Sequence, residues 1–150
     1  MKTTRLTLTM LLTAAMACAC ATAQAQRPEH PAYIHALEDL RYARGLLDRL
    51  DDPKLEADER HAIHEIDAAI NEIKLASVDD GKDLADHPPI DAHLKNTDRF
   101  HKALELLQKA HNDCSHEEDN PHTQGLQARV IHHIDEGMHA IEHTIQDALS

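Results

Sequence analysis

Four stretches of apolar residues, recurring at intervals of three and four and each opening near a proline, constrain this chain more than any other feature. That interval is the period of an α-helix, so each stretch gathers its apolar residues on one stripe that has to be buried. Proline in the first turn of a helix costs nothing, because its missing N–H would have had no partner there. The starts fall at His30-Pro31, Asp52-Pro53, Pro88-Pro89 and Asn120-Pro121. The first helix is expected to run to about Leu50, with Tyr33, Leu37, Leu40, Ala43 and Leu47 on its stripe. The second carries Ile63, Ile66, Ile70 and Ile73 and is expected to stop near Asp79-Asp80-Gly81, where glycine supplies the C-terminal cap. The third uses Phe100, Ala103, Leu104 and Leu107, and the fourth Leu126, Val130, Ile134, Ile141 and Ile145. With four Gly and no run of alternating β-branched residues, sheet is not expected. The predicted fold class is all-α, an antiparallel four-helix bundle.

The second and fourth helices echo each other at an offset of 68: Ile63-His64-Glu65-Ile66-Asp67 against Ile131-His132-His133-Ile134-Asp135. The match continues through Ala69 with Gly137, Ile70 with Met138 and Ile73 with Ile141. The first and third helices show a fainter match at offset 60, Ala43, Leu46 and Leu47 against Ala103, Leu106 and Leu107. A duplicated helical hairpin, with two hairpins stacked about a pseudo-two-fold axis, accounts for both offsets. Chance likeness between amphipathic helices is the alternative, and the polar matches argue against it.

Residues 1–25 are expected to lie outside the fold. Met1-Lys2-Thr3-Thr4-Arg5 is a basic n-region, Leu6 to Ala21 is apolar, and Ala23-Gln24-Ala25 is a small-x-small cleavage site. This is the pattern of a secretory signal, with residues 26–150 as a single bundle domain, and it predicts a periplasmic or secreted protein. Cys18 and Cys20 each follow a small residue, which leaves lipid anchoring as an alternative. The apolar stretch is too short for a spanning anchor, so no integral membrane segment is expected after processing.

Removing residues 1–25 takes away Lys2 and Arg5 but no acidic residue, which deepens the net charge from -12 to -14. Nucleic-acid binding is excluded on this ground, since phosphate contacts need a basic surface and single-strand binding needs aromatic platforms. Cations are the better partner. Cys114 is the one cysteine left, so no internal disulfide is available to the processed chain.

All 14 histidines survive the same cut. Neutral imidazole is the commonest protein ligand for Zn, Cu and Ni. Advancing 100° per residue puts His132, Glu136, His139 and His143 in one row on the fourth helix, opposite its apolar stripe. His61 and His64 on the second helix and His35 on the first also fall away from the apolar stripes, with Asp39, Glu65, Asp67 and Asp135 in reach as oxygen ligands. The plain alternative is a solvated face that happens to use His. Against it, His is a mediocre helix former, and Lys, Gln or Glu would suit such a face better.

Two loops are expected to add donors. One is Asp86-His87-Pro88-Pro89-Ile90-Asp91-Ala92-His93, between the hairpins. The other runs from His111 through Cys114 and His116 into Glu117-Glu118-Asp119 and His122, and offers imidazole, thiolate and carboxylate to a borderline metal. An incidental thiol at Cys114 is the alternative there. His93 and His111 project toward the apolar side of the third helix, as boundary histidines.

The export signal, the four helices, the internal repetition and the run from Ile131 through His132, His133, Glu136 and His139 to His143 resemble the small, His-rich, exported metal-binding proteins of bacteria, of the periplasmic four-helix copper-binding type. This chain is longer than those proteins and repeats whole hairpins in place of short units. The resemblance implies reversible binding of several divalent ions, Cu, Ni or Zn, at surface His and carboxylate clusters, for sequestration or buffering. An enzyme is not expected. Asp98-x-x-His101 and Glu136-x-x-His139 have the spacing of di-iron ligands, but di-iron ligands face a bundle interior and Asp98, Glu136 and His139 fall opposite the apolar stripes. No Cys-x-x-Cys-His, Gly-rich phosphate loop or zinc-hydrolase motif is present. A periplasmic interaction or chaperone-like module without metal is the competing reading, and it would need exposed apolar patches.

Overall fold

The four apolar stripes become the inner faces of four helices: α1 (Pro31–Leu47), α2 (Glu56–Leu75), α3 (Asn96–His116) and α4 (Leu126–Ala148). This computed structural model describes residues 31–49, 53, 55–75, 81–91, 93–116 and 125–150, and no strand occurs among them. The expected signal over residues 1–25, with Cys18 and Cys20, lies outside the described residues, as do Leu50, Asp52, Asp79, Asp80 and residues 117–124. No helix among the described residues is long and apolar enough to cross a membrane.

α1 packs most broadly on α3, and α2 on α4, more so than the helices within either hairpin. α1 and α4, like α2 and α3, therefore sit at diagonal corners. Neighbouring helices run antiparallel: the first turn of α3 bonds to the last turn of α1, and the first turn of α2 meets the end of α4. Every stripe residue named from the sequence is buried, apart from Ile63 and Leu104, which pack against the core half-covered. The chain therefore forms a four-helix bundle around one core.

Burial repeats at the offset seen in the sequence. From 60 to 69 and from 128 to 137 each position matches the one 68 residues on: Ala62 and Val130, Ile66 and Ile134, and Ala69 and Gly137 are buried, whereas His64 and His132 are exposed. Glu65 and His133 occupy equivalent positions and touch each other across α2 and α4. Contact between equivalent positions is what a two-fold axis passing between antiparallel helices requires.

Four of the expected boundaries move. α3 starts at Asn96 and not at Pro88-Pro89, because the Asp91 side chain accepts from the His93 N–H at 2.8 Å and the Asp91 carbonyl from the Leu94 N–H at 3.2 Å. That local turn competes with helix until Arg99 N–H reaches the Lys95 carbonyl. α4 starts at Leu126 and not at Pro121, behind Gly125 at φ 80, a left-handed conformation that glycine adopts without strain. α3 runs on to His116, so His111 to His116 is helix and not loop: the spacing of Ala103, Leu107, Ala110 and Cys114 simply continues the apolar stripe. α2 starts at Glu56, with Glu59 N–H bonded to the Leu55 carbonyl, three residues after Pro53.

The described residues of the connection between α2 and α3, 81–91 and 93–95, run along α1. Lys82 Nζ lies 3.0 Å from Glu38, Arg41 donates to the Lys82 carbonyl at 3.3 Å, and Arg49 donates to the Leu94 carbonyl at 3.3 Å. Between these ties the His87 ring lies so close to Gly45 that a Cβ there would come within 2.5 Å of it.

Composition gave no hint of what holds the α1 end of the bundle together. Arg99, fully buried in the first turn of α3, donates to the carbonyls of Leu46 at 2.9 Å and Leu47 at 3.5 Å and to Glu59 Oε1 of α2 at 3.0 Å. Its guanidinium also lies 4.7 Å from the centre of the Phe100 ring. Both charges are 0 % exposed, so removing one leaves the other in a low-dielectric setting. Glu59→Ala is expected to cost about 3–5 kcal/mol, read from urea unfolding followed by helical signal. Glu59→Leu with Arg99→Met should recover much of that loss, because the pair is then exchanged for packing. A Glu59→Ala variant as stable as the parent would refute this account of the joint.

Candidate metal centre

α4 continues about two turns beyond Ile141, to Ala148, and these turns place His143 and Asp147 one above the other at the i,i+4 spacing. The antiparallel register of α2 brings Asp58, in its first turn, against the same spot. His143 Nδ1 lies 2.8 Å from Asp58 Oδ2 and 3.6 Å from Asp147 Oδ2. Among the described residues this is the one group of three His, Cys, Asp or Glu side chains whose donor atoms all lie within 4.8 Å of one another. The site is open: His143 and Asp147 are exposed and Asp58 is half-buried.

The electrostatics favour positive charge here. The last turn of α4 carries no basic residue, although the carbonyl end of a helix is partially negative. The hydrogen bond that the His143 imidazole donates to Asp58, reinforced by the charges of Asp147 and Asp58, holds that imidazole above its ordinary pKa of 6.5. One imidazole and two carboxylates are a donor set that Zn²⁺, Ni²⁺ and Cu²⁺ accept. Bonds of about 2.0–2.2 Å require the donors to close to roughly 3.3 Å from each other, a small movement for exposed side chains.

Asp58 belongs to a series. Asp58, Glu65 and Glu72 of α2 are seven residues apart and each pairs with α4: His143 at 2.8 Å, His133 at 2.7 Å and Arg129 at 2.9 Å. A seven-residue step returns to nearly the same face of a helix, so the three pairs form one outer seam between α2 and α4.

The other residues singled out from the sequence are distributed as follows. His132 and His139 are exposed and Glu136 half-buried, so the α4 row does lie outside, but only His143 of that row joins the three-residue group. His61 is exposed, with Nδ1 at 4.0 Å from Glu65 Oε1, and His64 and His35 are exposed. Of the oxygen ligands thought to be in reach, Asp67 is taken by Arg44 at 2.7 Å and Asp135 faces His111 at 3.5 Å. Burial pushes the Asp39 carboxyl above its ordinary pKa, helped by Asp113 and Glu38 and opposed by Lys109 and His35.

The mixed His111, Cys114 and His116 cluster does not form. Cys114 is fully buried in the core, His116 is exposed with Nδ1 at 2.6 Å from the Asn112 carbonyl, and His111 turns toward α4. The reason is helical geometry: Cys114 continues the buried stripe of α3 and His116, two residues on, falls on the opposite side, whereas a loop could have let them converge. His93 is exposed ahead of α3 and His87 lies on Gly45. His122 and Glu117 to Asp119 lie outside the described residues. Of the pairs at di-iron spacing, Asp98, His101 and His139 are exposed.

Sequence reasoning missed Asp58, Asp147 and the Glu65–His133 pair. The i,i+4 spacing of His143 and Asp147 was a usable signal for one of them. Asp58 could be added only by knowing which end of α2 meets the end of α4. No family model, curated protein or solved structure matches the chain.

The raised pKa of His143 sets the sign of a pH effect. A group whose folded pKa lies above its unfolded value contributes stability that is complete below the unfolded value, here 6.5, and is lost as pH rises through the folded one. Asp58→Asn is therefore expected to lower Tm more at about pH 5.5 than at about pH 8.5. In an NMR titration of the imidazole resonances the His143 midpoint should fall toward its ordinary value in that variant. An unchanged midpoint would rule out the pairing.

Proposed function

We propose that this chain is an exported divalent-metal-binding protein that sequesters or buffers Cu²⁺, Ni²⁺ or Zn²⁺. The observation that carries the reading is the convergence of Asp58, His143 and Asp147 from opposite ends of two antiparallel helices. Two features of the sequence support it: an acidic chain with 14 His, and an N-terminal segment patterned as a secretory signal, which suits action in the periplasm or outside the cell. The openness of the site, with two donors exposed and Asp58 half-buried, suits reversible loading, because water can fill the remaining coordination positions and ions can exchange without unfolding.

The competing reading, an interaction or chaperone-like module, calls for a broad exposed apolar surface. Among the described residues the large exposed hydrophobics are Leu75 and Leu149, on different helical segments, and they favour no such surface.

The test is elemental analysis with calorimetry on the processed chain. More than one Cu²⁺, Ni²⁺ or Zn²⁺ per chain is expected at neutral pH, with affinity falling below about pH 6 as protons compete for imidazole. Asp58→Asn combined with His143→Asn should remove one ion and leave helical content intact, because neither side chain is part of the core. An ion held by both α2 and α4 is also expected to raise stability, by about 2.7 kcal/mol at a hundredfold excess over Kd. Sub-stoichiometric uptake of all three metals would sink the proposal.

A further inference from the structure

Half-way along the α2–α4 seam, His133 is held in a way that the Asp58 site does not use. Its Nδ1 lies 2.7 Å from Glu65 Oε2, and the pair is largely covered, with His133 at 27 % and Glu65 at 13 % exposure. A carboxylate only accepts, so the proton of the neutral ring sits on Nδ1 and Nε2 carries the lone pair. This is the arrangement by which metal-ligating histidines are oriented: one ring nitrogen donates to a carboxylate while the other faces the ion.

His132 supplies the second observation. Consecutive residues on a helix point about 100° apart, yet the His132 and His133 rings lie with centroids 5.7 Å apart and planes inclined at 42°. With metal–nitrogen bonds of about 2.0–2.1 Å, each ring centroid stands roughly 3.2 Å from a shared ion, so two imidazoles on one ion have centroids about 5–6 Å apart. The observed separation falls in that range. The neighbouring positive charge, Arg129, is engaged by Glu72 at 2.9 Å. The pair lies ten residues from His143, about 15 Å along α4, so it cannot share the Asp58 ion.

We propose that His132 and His133 form a second, nitrogen-rich site for a borderline divalent cation, Cu²⁺, Ni²⁺ or Zn²⁺, with Glu65 as its positioning residue. The inference rests on the metal-binding reading and deepens it: the seam holds two sites of different chemistry, one oxygen-rich at its end and one imidazole-rich at its middle. Water completes the coordination of an ion bound by the two Nε2 atoms. Glu65 acts through His133, fixing its tautomer and ring orientation without touching the ion.

The experiment titrates Zn²⁺ into the processed chain by calorimetry, alongside long-range ¹H–¹⁵N spectra of the imidazoles. The Nε2 resonances of both His132 and His133 should shift together on binding. His132→Asn with His133→Asn should remove one ion and spare the one lost in the Asp58→Asn/His143→Asn variant. Glu65→Gln should keep the number of ions, weaken that one by about 10–100-fold, and loosen the single tautomer of His133, a spectral change that a merely structural role would not produce. If the double His variant fails to fold, the parent spectra still decide: zinc binding that leaves the His132 and His133 nitrogens unmoved overturns this site while the metal-binding reading stands. A parent chain that takes up no zinc, copper or nickel at all overturns both.

Discussion

The guanidinium of Arg99 sits where three helices would otherwise part. At the end of α1 the Leu47 carbonyl accepts from the Arg49 N–H at 2.8 Å, and Arg99 meets the carbonyls of Leu46 and Leu47 from α3. The same group faces Glu59 in the first turn of α2, so one side chain ties the end of α1 to the starts of α2 and α3. A buried pair of this kind is weak evidence for net stability but strong evidence for geometry, because any other arrangement leaves a charge buried and uncompensated. Glu59 turned inward also fixes how α2 is rotated. Asp58, its neighbour and about 100° around the helix, then points to the outer seam where α4 ends. The buried joint and the exposed candidate site are in this sense two faces of one turn of helix.

From that turn the seam repeats along α2 at Asp58, Glu65 and Glu72. Each carboxylate finds a partner on α4, but only the last, Arg129, has a permanent charge. The other two are imidazoles, which offer a hydrogen bond when neutral and an ion pair when protonated. For a chain with 27 acidic and 15 basic residues this choice matters. Arg or Lys at positions 133 and 143 would hold α2 and α4 together wherever the carboxylates are ionised, while leaving no lone pair for another ligand. Histidine holds them together and keeps a nitrogen available.

The stripes were legible in the sequence because core burial follows a period that does not depend on the partner: Leu37, Ile66, Leu107 and Ile134 could be called inward without knowing what they meet. The offset of 68 was legible for the same reason, since it compares each helix with another by position alone. Proline marked the start of α1 but not of the other helices, because it tolerates a first turn without requiring one, and the Asp91 turn and the left-handed Gly125 delayed α3 and α4. Cys114 was read by its chemistry, although its spacing from Ala103, Leu107 and Ala110 already placed it inside. Arg41, Glu59 and Arg99 stood at stripe positions too, and a charge on an apolar stripe was the sign of a buried pair that went unread. The site itself needed the register between α2 and α4. A row of histidines on one helix specifies a face, whereas a three-donor cluster depends on which carboxylates the antiparallel neighbour delivers to it.

That dependence bears on how a metal would act on this fold. At Asp58 and His143 the proton in the hydrogen bond occupies the place an ion would take, between the same nitrogen and the same oxygen. Binding on the proposed reading exchanges one cation for another at a contact that already joins the two helices, and little ordering of the backbone remains to oppose it. The contact that the proton supplies fades as pH rises, and imidazole becomes a better metal ligand over the same range. The end of α4 would therefore be fastened to α2 by a proton in acid and by a metal ion at neutral pH. The bundle keeps its register in both conditions because Arg99, buried and always charged, does not take part in the exchange.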